Sequence, residues 1–433
     1  MRSGRLGRPF QLLFASSTIS NLGDGVTIVA LPLLVATLTR DPTTVAGLAL
    51  VSRLPWLLFA LPVGALTDRL DRKRVMWQAN IFRAAAMGAL AAAVATDGIT
   101  IWLLYLLAAL IGVAEVFYDN SAQALLPQIV PAAHLPRANG RLFAAATVTN
   151  EFAGPPLGAL VFSAAVAAPF LLDAATFAVT VPLLWAIPGR FGPAGEARTA
   201  PRHLGREIMT GLRWLWSHQL LRLLAILLGI ANFANTAAFS ILVLLAQDVL
   251  GASDLGFGLL ITAGAVGAVA GGLLAGRVTD RFGPGPALVA TFFIFAVVQT
   301  SVGLISQLWV VAVLFVLNGV ATMVWNVITV SLRQTVIPPG LLGRVNSVYR
   351  FVGWGAIPLG ALAGGLLASA LGLRATFVVT GLALVAVGLA AAPLLLRSVN
   401  AAEAAGGASL DGFAEGDEPT AVHDDGGARD PSA

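Results

Sequence analysis

Apolar residues fall in long unbroken runs separated by short polar or charged stretches, with no two-residue alternation. The runs lie at 10–37, 44–66, 75–95, 100–124, 139–166, 168–188, 219–247, 255–276, 286–305, 308–331, 344–371 and 374–396. At 1.5 Å of rise per residue, each can cross a hydrocarbon core about 30 Å thick. A membrane β-barrel would show short alternating segments instead of runs rich in Ala, Leu and Gly. The pattern predicts an all-α integral membrane protein of twelve transmembrane helices.

The polar stretches between the runs set an orientation, because Lys and Arg collect on the cytoplasmic side. If the N-terminus is cytoplasmic, that side receives nineteen basic residues, among them Arg69, Arg72, Lys73 and Arg74; the opposite side receives two, Arg40 and Arg374. The chain is therefore expected to be a multi-pass protein of the cell (plasma or inner) membrane with both termini cytoplasmic. Residues 189–218 form the longest and most basic connector, helix-compatible over Leu204–Ser217, with Trp214 and Trp216 near the next span. This reads as a cytoplasmic linker with an interfacial helix. Residues 398–433, rich in Gly, Ala, Asp and Glu, are expected to be a disordered acidic tail.

The two sides of the linker repeat each other. Ser20-Asn21-Leu22-Gly23-Asp24 lines up with Ala231-Asn232-Phe233-Ala234-Asn235, and Gly64–Arg69 with Gly276–Arg281. Pro131, Leu135, Arg137 and Asn139 recur as Pro338, Leu342, Arg344 and Asn346. Pro156-Leu157-Gly158-Ala159-Leu160 recurs verbatim from Pro358, and Ala175-Thr176-Phe177 from Ala375. The order is kept while the offset shrinks slowly, as expected of two pseudo-symmetric six-helix halves, 1–188 and 219–397. An even number of spans per half makes the repeat parallel.

Composition narrows the function classes. Apolar residues make up 57% and charged residues 11%, against about 25% charged in soluble domains, which excludes a soluble globular protein. Twenty-five of the 26 basic residues are Arg, spaced between apolar runs, so the pI near 10.3 reflects membrane topology and no nucleic-acid partner is expected. The absence of Cys excludes disulfides, thiol catalysis and Cys-based zinc sites, and the four His are scattered, so no metal is expected. No phosphate-binding G-x-x-x-x-G-K-[ST] loop occurs, so no ATP-driven pump and no cofactor are expected, and no nucleophile–base constellation points to an enzyme.

Ionisable residues inside the spans are the candidate chemistry, since each costs at least about 2.5–3.5 kcal/mol at mid-bilayer. Asp24 shares a helical face with Ser17, Asn21 and Ile28, so that face should line a cavity and Asp24 could cycle a proton. Glu115 and Asp119 lie one turn apart in the fourth run and Glu151 sits in the fifth; Asp24, Glu115 and Glu151 are the candidate proton-coupling acids. Arg53 and Arg83 lie inside the second and third runs as candidate buried countercharges, their acidic partners left open. The deep acids that can be placed fall in the first half, while the repeat puts Asn235, Asn326 and Thr322 opposite Asp24, Asp119 and Glu115. The first half is expected to carry coupling and the second to shape the substrate site. Asn21, Asn232, Asn235, Phe239 and Trp354 are the candidate substrate-binding residues.

The segment Gly64-Ala65-Leu66-Thr67-Asp68-Arg69-Leu70-Asp71-Arg72-Lys73-Arg74 resembles the loop 2–3 signature of the major facilitator superfamily, with Asp71 where that family usually has Gly. Gly154-Pro155-Pro156-Leu157-Gly158 resembles the core of its antiporter motif, though Asn150 replaces an upstream Gly. Ser20–Gly25, Arg53-Leu54-Pro55 and Leu125–Asn139 are similar to the branch of enterobactin and macrolide exporters. The resemblance implies the major facilitator fold and a conformational latch of Asp68, Arg69, Arg72 and Asp119. It implies a secondary exporter of amphipathic small molecules (drug, siderophore or secondary metabolite) by proton antiport and alternating access. The expected partners are that substrate, protons and the lipid bilayer, with a monomer as the expected state. The alternatives are a proton-coupled nutrient importer and a non-transporting membrane sensor.

Overall fold

A computed structural model describes residues 6–67, 69–192, 204–338 and 341–414. Its first half comprises α1 (Arg8–Leu38), α2 (Pro42–Thr67), α3 (Arg72–Ala95), α4 (Ile101–Ile129), α5 (Leu135–Ala146), α6 (Gly154–Ala164) and α7 (Ala168–Trp185). The connector contributes α8 (Leu204–Ser217). The second half comprises α9 (Gln219–Phe239), the short α10 (Leu242–Leu244), α11 (Asp254–Phe282), α12 (Pro284–Leu304), α13 (Leu308–Val336), α14 (Leu342–Leu371) and α15 (Leu373–Ala414). Two π-helical turns interrupt the pattern, Thr147–Ala153 between α5 and α6 and Leu245–Val249 after α10.

Local chemistry marks many helix starts. Asp71, Thr100 and Ser253 accept main-chain N–H bonds from Arg74, Leu103 and Gly256, capping α3, α4 and α11. Asp71 has φ of −70°, so the family's glycine is not required at this turn, and its other carboxylate oxygen accepts the Phe191 N–H at 3.2 Å. Proline opens α1, α5, α7 and α12, where its missing N–H costs nothing.

Among the described residues, ten helices are long and apolar enough to cross a membrane. The two remaining predicted spans are α3, which carries Arg72, Lys73, Arg74 and Arg83, and the α5–α6 rod, divided by its π turn. Both are nevertheless built into the bundle: α3 packs on α4 and α7, and α6 packs on α1.

The repeated segments pack alike. Gly158 meets the main chain of Val26 on α1, while Gly360 and Gly364 meet that of Phe233 and Ala237 on α9; a Cβ at any of them would collide. Small residues let helices approach closely where lipid offers no hydrophobic drive between them. Asn80 donates to Thr180 at 2.6 Å between α3 and α7, and Gln299 donates to Thr380 at 2.7 Å between α12 and α15.

The two ends of the bundle differ. At the end remote from the termini a single apolar core joins both halves, from Val29–Ala36 and Phe162 to Ala238–Ala246 and Phe377. Polar bonds cross the halves there: Arg40 donates to Gln247 at 2.8 Å and to Asp248 at 3.1 Å, and Thr43 bonds Ser369 at 2.7 Å. At the end that carries the termini the halves have separate cores, one around Phe10, Met76 and Tyr118 and one around Leu221, Trp325 and Tyr349. The bundle is sealed at one end and divided at the other.

The C-terminal segment differs from its expected start at Ser398. Helix α15 runs on to Ala414, and Val399 is fully buried in the second half's core, an apolar anchor that composition alone obscured. Residues 415–433 and linker residues 193–203 lie outside the described residues.

A buried charge cluster beside a central cavity

Arg83, from the middle of α3, has a side chain only 2% exposed, and its Nη2 donates to Asp24 Oδ1 on α1 at 2.5 Å. The guanidinium lies over the Phe177 ring at 3.9 Å, with the Tyr118 ring at 5.9 Å. Glu115 and Asp119 of α4 and Asp173 of α7 also act electrostatically on it. Arg83 is thus ion-paired to Asp24, with three further carboxylates from two other helices of the first half in its field.

Asp173 was not among the residues picked out from the sequence. It is fully buried, accepting from Thr27 at 2.6 Å and from the Thr176 hydroxyl at 3.1 Å. Gly23 makes room for it, since a Cβ there would run into the Asp173 carboxylate and the Thr176 hydroxyl. A signal was present in the sequence: Asp173, Thr176, Phe177 and Thr180 follow i, i+3, i+4, i+7, a polar stripe within an apolar run. Its repeat counterpart is Leu373, so this acid, too, belongs to the first half alone.

One turn along α1 from Asp24, Ile28 lines a cavity of about 260 Å³ between the halves. The cavity lies against the sealed end, where Ala238, Leu242, Val298, Val302 and Phe377 of the shared core form part of its wall. The first half also supplies Asn150, Glu151 and Pro155, and the second supplies Asn235, Phe239, Gln299, Phe315 and Asn318. Asn150 and Glu151 stand on the π turn Thr147–Ala153. Pro155 and Pro156 follow it and have no N–H for the carbonyls of Glu151 and Phe152, so regular helix bonding cannot be maintained through this stretch. The second half has Pro358 alone, and α14 runs through it unbroken.

The candidate residues are distributed as follows. Asn235, Phe239 and Glu151 line the cavity. Asn21 donates to its own helix at Ser17 O, and Asn232 donates to Gly353 O on α14 at 2.8 Å. Trp354 lies outside the cavity lining, edge-on to Trp56 and beneath the Arg350 guanidinium. Arg53, expected as a second buried countercharge, is instead exposed: α2 turns that position away from the packed core. Asp119 stands in the field of Arg83 and Glu115. Arg69 is exposed, and Arg72 opens α3 with its N–H on Phe191 O at 3.1 Å. Asp68 lies outside the described residues.

Comparison with known proteins places this architecture. A family model described as transmembrane secretion effector matches residues 7–426. The multidrug efflux pump Tap of Mycobacterium tuberculosis is 28% identical over 408 residues, covering 90% of this chain and 94% of Tap. Macrolide efflux protein A of Streptococcus pyogenes is 21% identical over 387 residues, covering 88% of this chain and 94% of that protein. A crystal structure of a point mutant of the nucleoside transporter NupG superposes with a TM-score of 0.73 at 11% identity, covering 89% of this chain and 99% of that one, a likeness of fold. The chain belongs to the transmembrane secretion effector family, a branch of the major facilitator superfamily of transporters.

Proposed function

We propose that this protein exports amphipathic small molecules of the drug or secondary-metabolite class across the cell membrane by proton antiport. The observation that carries the coupling half of this reading is the charge cluster. Asp24 is ion-paired to Arg83 and three further carboxylates stand in the field of that guanidinium in an apolar bundle, so that fully ionised the group would hold a net charge of −3. Proton uptake lowers the cost of that excess charge in a low-dielectric interior, and proton release restores the pull on Arg83. Asp24 couples this to the substrate path, because Ile28 one turn away on α1 forms part of the cavity wall.

With both termini cytoplasmic, as the basic residues favour, the sealed end faces outward and the divided end faces the cytoplasm. A substrate would enter from inside, fill the cavity, and leave after the halves rock to seal the other end. Efflux pumps among the relatives support the direction of transport. Inverted membrane vesicles carrying the protein, loaded with a panel of fluorescent compounds and a pH-sensitive dye, test the reading. Substrate accumulation that dissipates the proton gradient is expected; no gradient-driven movement of any compound would refute it.

A further inference from the structure

Glu151 is the one ionisable side chain among the residues lining the cavity. Expected to be a proton-coupling acid, it stands on the cavity wall, while Asp24 is the acid ion-paired to Arg83 at 2.5 Å. The first half thus has two acidic centres, one buried around a built-in cation and one open to a cavity with no Arg, Lys or His among its described lining residues. The other polar groups there are uncharged and can accept from donors in the guest. Gln299 has committed both amide hydrogens, to Ala234 O at 2.8 Å and Thr380 Oγ1 at 2.7 Å, so what it can offer a guest is its carbonyl oxygen. Asn150, Asn235 and Asn318 add carboxamides, each with an oxygen to accept and an NH2 to donate. Phe239 and Phe315 supply aromatic surface suited to an apolar body and to a cation over a ring face.

Resting on the exporter reading, we propose that the cavity selects guests bearing a cationic centre, a protonated amine or quaternary ammonium, which sits against Glu151 with its apolar body on Phe239 and Phe315. The carboxylate penalises an anionic guest by the same Coulombic term that favours a cation. At about 260 Å³ the cavity is just under the usual range for small-molecule sites, so it fits a compact guest or the charged portion of a larger one.

The test uses purified full-length protein in detergent, titrated by fluorescence with ethidium, a permanent cation, and with the uncharged dye Nile red. E151Q, checked as monodisperse by size exclusion, is expected to lower the ratio of ethidium to Nile red affinity at least tenfold. Asn235→Asp, which adds a second carboxylate to the same cavity, should raise that ratio at least threefold. An unchanged ratio in both variants would overturn the proposal. A parallel vesicle assay separates it from the reading it rests on. Ethidium bound through Glu151, with no compound of the panel moved by the gradient, supports the cation site and refutes the exporter. Nile red exported equally by wild type and E151Q, with ethidium neither bound nor moved, overturns the cation site and leaves the exporter standing.

Discussion

Asp24→Asn should separate proton coupling from folding. In the wild type, the Arg83 side chain is 2% exposed, that of Asp24 is 29% exposed, and the two meet at 2.5 Å. Asparagine keeps a carbonyl oxygen for the same donor, so the loss is mainly the charge assistance of one hydrogen bond, about 1 kcal/mol. Glu115, Asp119 and Asp173 still act on Arg83 through space, which should keep the cost below the roughly 3–5 kcal/mol of stripping a buried charge of its partner. The variant should therefore insert, remain monodisperse and melt within a few degrees of the wild type. Transport is another matter. A proton moving down a gradient of one pH unit supplies about 1.4 kcal/mol, enough for roughly tenfold accumulation per proton. If Asp24 carries that proton, the accumulation ratio in proteoliposomes should fall to about one, while downhill exchange of the same dye continues. Accumulation by Asp24→Asn at the wild-type ratio would remove Asp24 from the coupling step.

Gly23→Ala should displace the Asp173 carboxylate from Thr27 and lower stability by about 2–4 kcal/mol, from overpacking and a weakened charged hydrogen bond, read as a drop in melting temperature; Ala234, its repeat counterpart, already carries a Cβ. Arg40→Ala removes the exposed cross-half pair with Asp248, worth about 0.2–1 kcal/mol, and should loosen the sealed end. Because the chain has no cysteine, Ala46→Cys, at a 1% exposed position in that seal, reports opening directly, with labelling expected to quicken about 1.4- to 5-fold in the Arg40→Ala background. Asp41 accepts the Thr44 hydroxyl at 2.6 Å and the Thr44 N–H at 2.8 Å, and these bonds hold its carboxyl below the ordinary value. Its contribution is therefore present above about pH 4 and is lost as pH falls through the lowered folded value, so Asp41→Ala should cost about 1 kcal/mol at neutral pH and progressively less on acidification.

The membrane class, the α-helical fold and the internal repeat are legible in the chain alone, because each rests on periodicity and run length that survive without knowledge of any contact. The sequence also brought out Asp24, Glu115, Asp119 and Arg83, since a charge inside an apolar run is conspicuous wherever the helix packs. What tertiary structure decided is pairing and partition. Arg53 and Arg83 look alike in sequence, yet α2 leaves the first exposed while α3 buries the second over Phe177. Glu151 and Asp24 look like one class of acid, yet a π turn ahead of two prolines puts Glu151 on the cavity wall and leaves Asp24 on Arg83. Asp173 stood out least, near the start of its run, and became a core acid because Gly23 lets α1 close onto it. The state of the transporter lies furthest from the sequence: both halves carry nearly the same packing instructions. Only their packing together joins the cores at one end and leaves them separate at the other.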